Sequence, residues 1–361
     1  MEFQRTGRPT ILVSNDDGIE APGLRALVLA LHTANFAKII VCAPDTERSA
    51  QSHAITLTRQ LQASQRLVQG AEKAWAVDGT PADTVQLALS GSLFEDNIDL
   101  CLSGINRGDN CGIHVIYSGT VGAAREASIK GVPAMALSLD DYSPTTTAGY
   151  SSGATFAAAL TKSMLGLLPG TENLMDDLVG AVVNVNFPSG SQADVRGIQM
   201  THQSGACVEA GFQEHPAVSS TPAANTTGPA EDVQQRVFRA HMSQMRPQRY
   251  VSVTPLTLRC DIPFGQAAGA SHHPSPRVPH AVASIVKAAA AEMGVPAWLS
   301  TTSSWLLCKL ELALQGSLLD HLSVPTRDVT KMADQAILSE EDRVVVMRFG
   351  HDLTSNVCKW M

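Results

Sequence analysis

ILVSNDDG, residues 11–18, runs from three apolar residues, Ile11-Leu12-Val13, straight into two adjacent carboxylates, Asp16 and Asp17. The apolar run reads as a short strand over residues 10–13. Two like charges at its end raise the question that organises the chain. Adjacent carboxylates repel, and a buried one is costly unless it is paired or bound to a metal. Asn, Asp and Gly are also turn formers, so the same letters fit a solvated turn.

Working outward, strands and helices alternate. Residues 22–35 place Leu24, Leu27, Val28 and Leu31 at helical spacing, with Pro22 suited to a first turn. KIIVCA (38–43) and AWAVDG (74–79) read as the second and third strands, and Thr80-Pro81 as a cap and first helical residue. IDLCLSG (98–104) is a fourth strand, a helix follows over about 120–130, and VPAMALS (132–138) is a fifth strand. A helix over 152–168 carries Phe156, Leu160, Met164 and Leu167 on one side, and AVVNVNFP (181–188) is strand again. This order predicts an α/β fold, a mostly parallel sheet with helices on both faces. From 203 to 248 the pattern gives way to a loop-rich insertion, followed by a late strand, RYVSVTPLTL (249–258). Residues 259–285, rich in Gly, Ala, Ser, His and Pro, read as a linker. Helix-like runs in 286–332 have no assignment.

The chain has 361 residues, 44% of them hydrophobic and 17% charged, enough to bury a substantial core. Its net charge of −8 argues against a nucleic-acid polymer as partner, which needs a basic surface, but leaves a small phosphoester possible as a substrate. Seven cysteines without a C-x-x-C pair indicate neither a zinc site nor a disulfide framework. The N-terminal segment lacks the apolar core of a secretory signal, and no uncharged apolar run is long enough for a bilayer. A cytoplasmic protein without membrane contact is the expectation.

Ligands of open α/β sheets bind where the strands end. After the first strand come Ser14, Asn15, Asp16 and Asp17; after the second, Asp45, Arg48 and Ser49; after the fourth, Ser103, Gly104, Ile105 and Asn106. Brought to one edge, these supply an all-oxygen donor set of the kind that suits Mg²⁺, Mn²⁺ or Ca²⁺. A divalent cation would offset the repulsion between the aspartates. Ser118-Gly119-Thr120 leads into a helix, where free N–H groups form a natural phosphate cradle; ordinary capping by Ser118 or Thr120 is the competing reading. The metal edge beside it favours the cradle.

ILVSNDDGIEAPGLRAL, VCAPDTERSAQSHAIT, VDGTPADTVQLAL, LSGINRGDNCGIHVIYSGTVGAAREA and GVPAMALS together resemble the SurE family of survival-protein nucleotidases, with wording closest to its plant-type members, over about residues 10–258. The resemblance implies a Rossmann-like sheet and a metal-dependent phosphomonoesterase acting on nucleoside monophosphates. By motif it implies metal ligands Asp16, Asp17, Ser49 and Asn106 around Mg²⁺ or Mn²⁺. It makes Asp16 and Asp17 the catalytic groups, with water or a carboxylate as nucleophile, and Asn15, Ser118, Gly119 and Thr120 the phosphate-side groups. It also implies an extended arm exchanged between subunits, hence a homodimer or homotetramer. His53 fits two roles, support of Ser49 or a packed turn residue.

The tail, ADQAILSEEDRVVVMRFGHD (333–352), resembles a different family, the Dim-type thioredoxin-like proteins of the spliceosome. Residues 333–361 hold only a fragment of such a fold, which cannot close a sheet. A poorly structured tail from a fused gene model is expected, with residues 286–361 dispensable for chemistry. A splicing-associated binding protein, or a degenerate enzyme with an artefactual fusion, are the competing classes.

Overall fold

Thr10–Ser14 forms strand β1, and all five residues are buried. Ile11 and Val13 pack into one apolar cluster while Leu12 joins another on the opposite face. A strand buried on both sides explains why the run is apolar throughout rather than alternating. The computed structural model describes residues 7–201, 203, 210–215, 237–242, 251–257 and 278–299.

The elements in chain order are β1, α1 (Pro22–Ala34), β2 (Lys38–Pro44), β3 (Ala63–Arg66), β4 (Lys73–Val77), α2 (Pro81–Leu89), β5 (Leu100–Arg107), α3 (Gly119–Ile129), β6 (Ala134–Leu139), α4 (Ser151–Met164), α5 (Leu174–Asp177), β7 (Ala181–Phe187), β8 (Ile198–Met200), β9 (Ala210–His215), β10 (Val237–Met242), β11 (Val251–Thr257), α6 (Val278–Met293) and β12 (Ala297–Leu299). Ten strands make one sheet in the order β12-β8-β11-β7-β6-β5-β1-β2-β4-β3. The run from β4 to β7 is parallel, while β3 and β11 join it antiparallel to β4 and β7. β1 lies between β2 and β5, so the chain leaves it in one direction and later returns on its other side. That reversal opens a crevice at the carboxyl ends of β1 and β5. Residues of α1, α4 and α6 line one apolar layer and residues of α2 and α3 the other.

Several expectations shift. The helix foreseen over 152–168 stops at Met164, because Gly166 takes φ +72 and turns the chain; Leu167 is 47% exposed rather than on the buried stripe. The fourth strand runs on to Arg107, so Asn106 belongs to its end and not to the loop after it. The insertion at 203–248 is not all loop: β9 and β10 pair antiparallel as a separate two-stranded sheet. Its polar letters hid that hairpin.

The largest correction concerns the linker. Residues 278–285, read as its end, are the first half of α6. Val278, Ala281, Val282, Ile285, Val286, Ala289 and Ala290 are all buried there. β12 then pairs with β8, so the compact unit closes at Leu299, not near 258. The rest of the unassigned run and the fragment at 333–361 lie outside the described residues. Among the described residues no helix is long and apolar enough to cross a membrane.

Candidate active site

Asp16 follows the pleat of β1 toward the α2–α3 layer and is 3% exposed. The Thr120 hydroxyl donates to its Oδ1 at 2.5 Å, and the amides of Gly119 and Thr120 also bond it. The N-terminus of α3 therefore holds the protein's own carboxylate. Helix dipole and free N–H groups favour an anion there, and Asp16 is that anion. The ideal Cβ of a residue at position 119 would lie 2.8 Å from the Asp16 Cβ, so only glycine lets helix and strand meet this closely. Ser118 caps the helix, its Oγ accepting from the Val121 amide at 3.1 Å. Of the three residues expected on the phosphate side, Ser118 thus caps the helix while Gly119 and Thr120 bond Asp16.

Asp17 lies on the other side of the turn and accepts a hydrogen bond from the Arg107 amide at 3.0 Å. This ties it to the end of β5, one residue past Asn106. Burial pushes the Asp16 carboxyl up from its ordinary value, and the Thr120 hydroxyl and the helix amides pull it only part of the way back. Asp17 is pushed up to about 7, first by burial and then by the charge of Asp16, against the Arg107 amide and guanidinium. Two carboxylates that resist ionising together mark a place where a cation would be stabilising.

The other residues singled out by the sequence divide. The Asn106 Nδ2 donates to the Gly108 carbonyl at 2.7 Å, which turns its amide oxygen the other way. Arg48 donates its amide to the Asp16 carbonyl at 2.6 Å, bringing the Ser49 loop against β1. The Ser49 hydroxyl itself is exposed and donates to Glu47 Oε1 at 3.0 Å. Asn15 bonds back to its own turn. Its Nδ2 donates to the Gly18 carbonyl and its Oδ1 accepts from the Gly18 amide, at 2.9 and 3.2 Å, so it shapes the turn that presents the aspartates.

One set of residues was missed. Asn110 is fastened on every side: its amide donates to Asn186 Oδ1, its carbonyl accepts from the side chains of Asn184 and Asn186, and its Nδ2 donates to Ser138 Oγ. This knot fixes the loop between β5 and α3. The signal was legible, since two asparagines interrupt the apolar strand AVVNVNF at residues 184 and 186.

Among the described residues no group of three or more His, Cys, Asp or Glu side chains forms a metal cluster. A cation at this edge would rest on the aspartate pair and neutral oxygens, a donor set that fits a hard, oxygen-seeking ion. The family described as Survival protein SurE matches residues 11–210. The chain belongs to the SurE family. It is 40% identical over 210 residues to 5′-nucleotidase SurE of Christiangramia forsetii, spanning 57% of this chain and 75% of that protein. It is 36% identical over 251 residues to 5′-nucleotidase SurE of Syntrophomonas wolfei subsp. wolfei, spanning 68% and 88%. The SurE protein of Aquifex aeolicus superposes with a TM-score of 0.52 at 28% identity, over 70% of this chain and 94% of its own. The SurE match takes in the aspartate turn, the Ser49 loop, β5 and α3.

Proposed function

We propose that this SurE-family chain is a divalent-metal-dependent phosphomonoesterase that hydrolyses nucleoside 5′- and 3′-monophosphates. The observation that carries the reading is the oriented pair Asp16–Asp17 at the switch point, one carboxylate fixed by the start of α3 and the other by the end of β5. The substrate class is supported by the names of the relatives, which are 5′-nucleotidases. Asp16, Asp17, Ser49 and Asn106 would hold Mg²⁺ or Mn²⁺, which when bound draws charge from a phosphoryl oxygen and acidifies a water.

The chain's own groups then have distinct tasks. Thr120 and the amides of residues 119 and 120 keep Asp16 in one orientation, so it accepts a proton from the attacking water, or itself attacks, without first reorganising. The Arg107 amide does the same for Asp17. The Ser49 hydroxyl gives its proton to Glu47, which leaves the oxygen lone pairs for the cation. Assembly as a homodimer or homotetramer is part of the proposal, supported by the β9–β10 hairpin, which among the described residues pairs with no strand of the main sheet.

The test is phosphate release from 5′- and 3′-nucleoside monophosphates with Mg²⁺, with Mn²⁺ and with EDTA. Release that needs the cation and falls to background with chelator is expected. Equal release in EDTA would overturn the metal assignment, and no release from any monoester would overturn the enzyme reading.

A further inference from the structure

The loop between β2 and β3 carries Ser49, and it is held in an unfavourable shape. Ala50 and Ser52, neither of them glycine, take φ +58 and +56. Such left-handed positions persist only where surrounding contacts over-determine them. Those contacts are visible. The Ser52 amide donates to the Tyr117 carbonyl at 2.8 Å and its hydroxyl to the Ile116 carbonyl at 2.7 Å. Farther on, the Thr80 hydroxyl donates to the Ala54 carbonyl, and the Thr56 amide to Asp83 Oδ1.

Between these ties sits His53. Its Nε2 is 2.8 Å from Oε2 of Glu126, on the middle of α3, whose side chain is 5% exposed. Gln86 on α2 also bonds Glu126, and Lys130 lies 3.9 Å away. Burial alone would push the Glu126 carboxyl up, but the bonds from His53 and Gln86 and the nearby charges bring it below its ordinary value. The loop and the helix meet without a gap, for a Cβ on Gly122 would lie 2.3 Å from the Ser52 carbonyl oxygen. α3 is also the helix whose first turn holds Asp16.

We propose that His53 and Glu126 are positioning residues: their pair latches the Ser49 loop onto α3, so that Ser49 and Asp16 face one cation from two segments locked together. The inference rests on the metal reading above. It assigns His53 to support of Ser49, and it makes Glu126 a determinant of metal affinity although it is no ligand.

The experiment uses the full chain and Mn²⁺ alone, its dissociation constant read by electron paramagnetic resonance, with amide exchange at Ser52 and Thr56 as a second readout. His53→Ala and Glu126→Ala are each expected to weaken Mn²⁺ binding by about 10-fold, the scale on which partners of metal ligands act. Exchange at Ser52 should quicken in both. The double variant should be no weaker than the worse single one, because either change opens the same latch. His53→Gln, which keeps an N–H donor, should recover most of the affinity. Should His53→Ala fail to give a native circular dichroism spectrum, Glu126→Leu, which removes the acceptor with less loss of packing, carries the same comparison. An affinity within twofold of native in the alanine variants, or single effects that multiply in the double variant, overturns the latch. Native protein that binds Mn²⁺ but releases no phosphate would overturn the enzyme reading alone, since the affinities still decide the latch.

Discussion

Asp16 and Asp17 are neighbours in sequence with different structural debts. Asp16 accepts from a hydroxyl and two helix amides, whereas Asp17 accepts from one strand-end amide. Asp16→Asn puts an NH₂ group where acceptors are needed, so it should cost stability as well as activity, about 1–3 kcal/mol for donors left buried and unpaired. Asp17→Asn should leave the melting temperature nearer native. Both should lose more turnover than the roughly 10–100-fold that partners of metal ligands are worth. Thermal melts beside phosphate release in Mn²⁺ check this; near-normal rates in both variants would remove the pair from the chemistry. Gly119→Ala tests the same contact from the helix. Its methyl group meets the Asp16 Cβ at 2.8 Å, and α3 must back away. The expected result is destabilisation of about 1–3 kcal/mol together with a weaker metal midpoint.

At the scale of elements, the turn after β1, the end of β5 and the start of α3 form the proposed site, and each is made rigid by a local device. Asn15 closes the turn on Gly18, the Asn110 knot fixes the loop after β5, and Ser118 caps α3. α6 is remote from this edge but not optional. It buries Val278, Val282, Ile285 and Val286, and each such side chain is worth about 1.5–3 kcal/mol against a net domain stability of only about 5–15 kcal/mol. A chain ended after residue 262 is therefore expected to be insoluble or molten, while one ended after Leu299 should keep both α6 and β12 and its metal-dependent rate. Soluble yield, near-ultraviolet circular dichroism and phosphate release compare the two. A folded, active 1–262 form would show that α6 only decorates the sheet.

At the scale of the molecule, the acidic balance and the proposed cation site have a joint consequence. With a net charge of −8 the protein should hydrolyse mononucleotides yet fail to retain a polynucleotide at physiological salt, measured by mobility shift; tight retention would count against the nucleotidase reading. The order of strands and helices was legible because apolar strands buried on both faces and amphipathic helices differ in period, and because Thr80-Pro81 and Pro22 mark helix starts by local chemistry. β3, β9 and β10 were not legible, since polar or short strands carry no periodic signal, and α6 was legible only in its later half, its first residues being read with the Pro- and His-containing linker. By itself, then, the sequence determined the α/β succession and the placing of two carboxylates at a strand end, because both are written in near neighbours. Only the tertiary structure decided that the N-terminus of α3 holds Asp16 and that Asn15 serves its own turn. It alone brought Glu126 to His53, 73 residues away, because a hydrogen bond is chosen by distance in space and leaves no period in the chain.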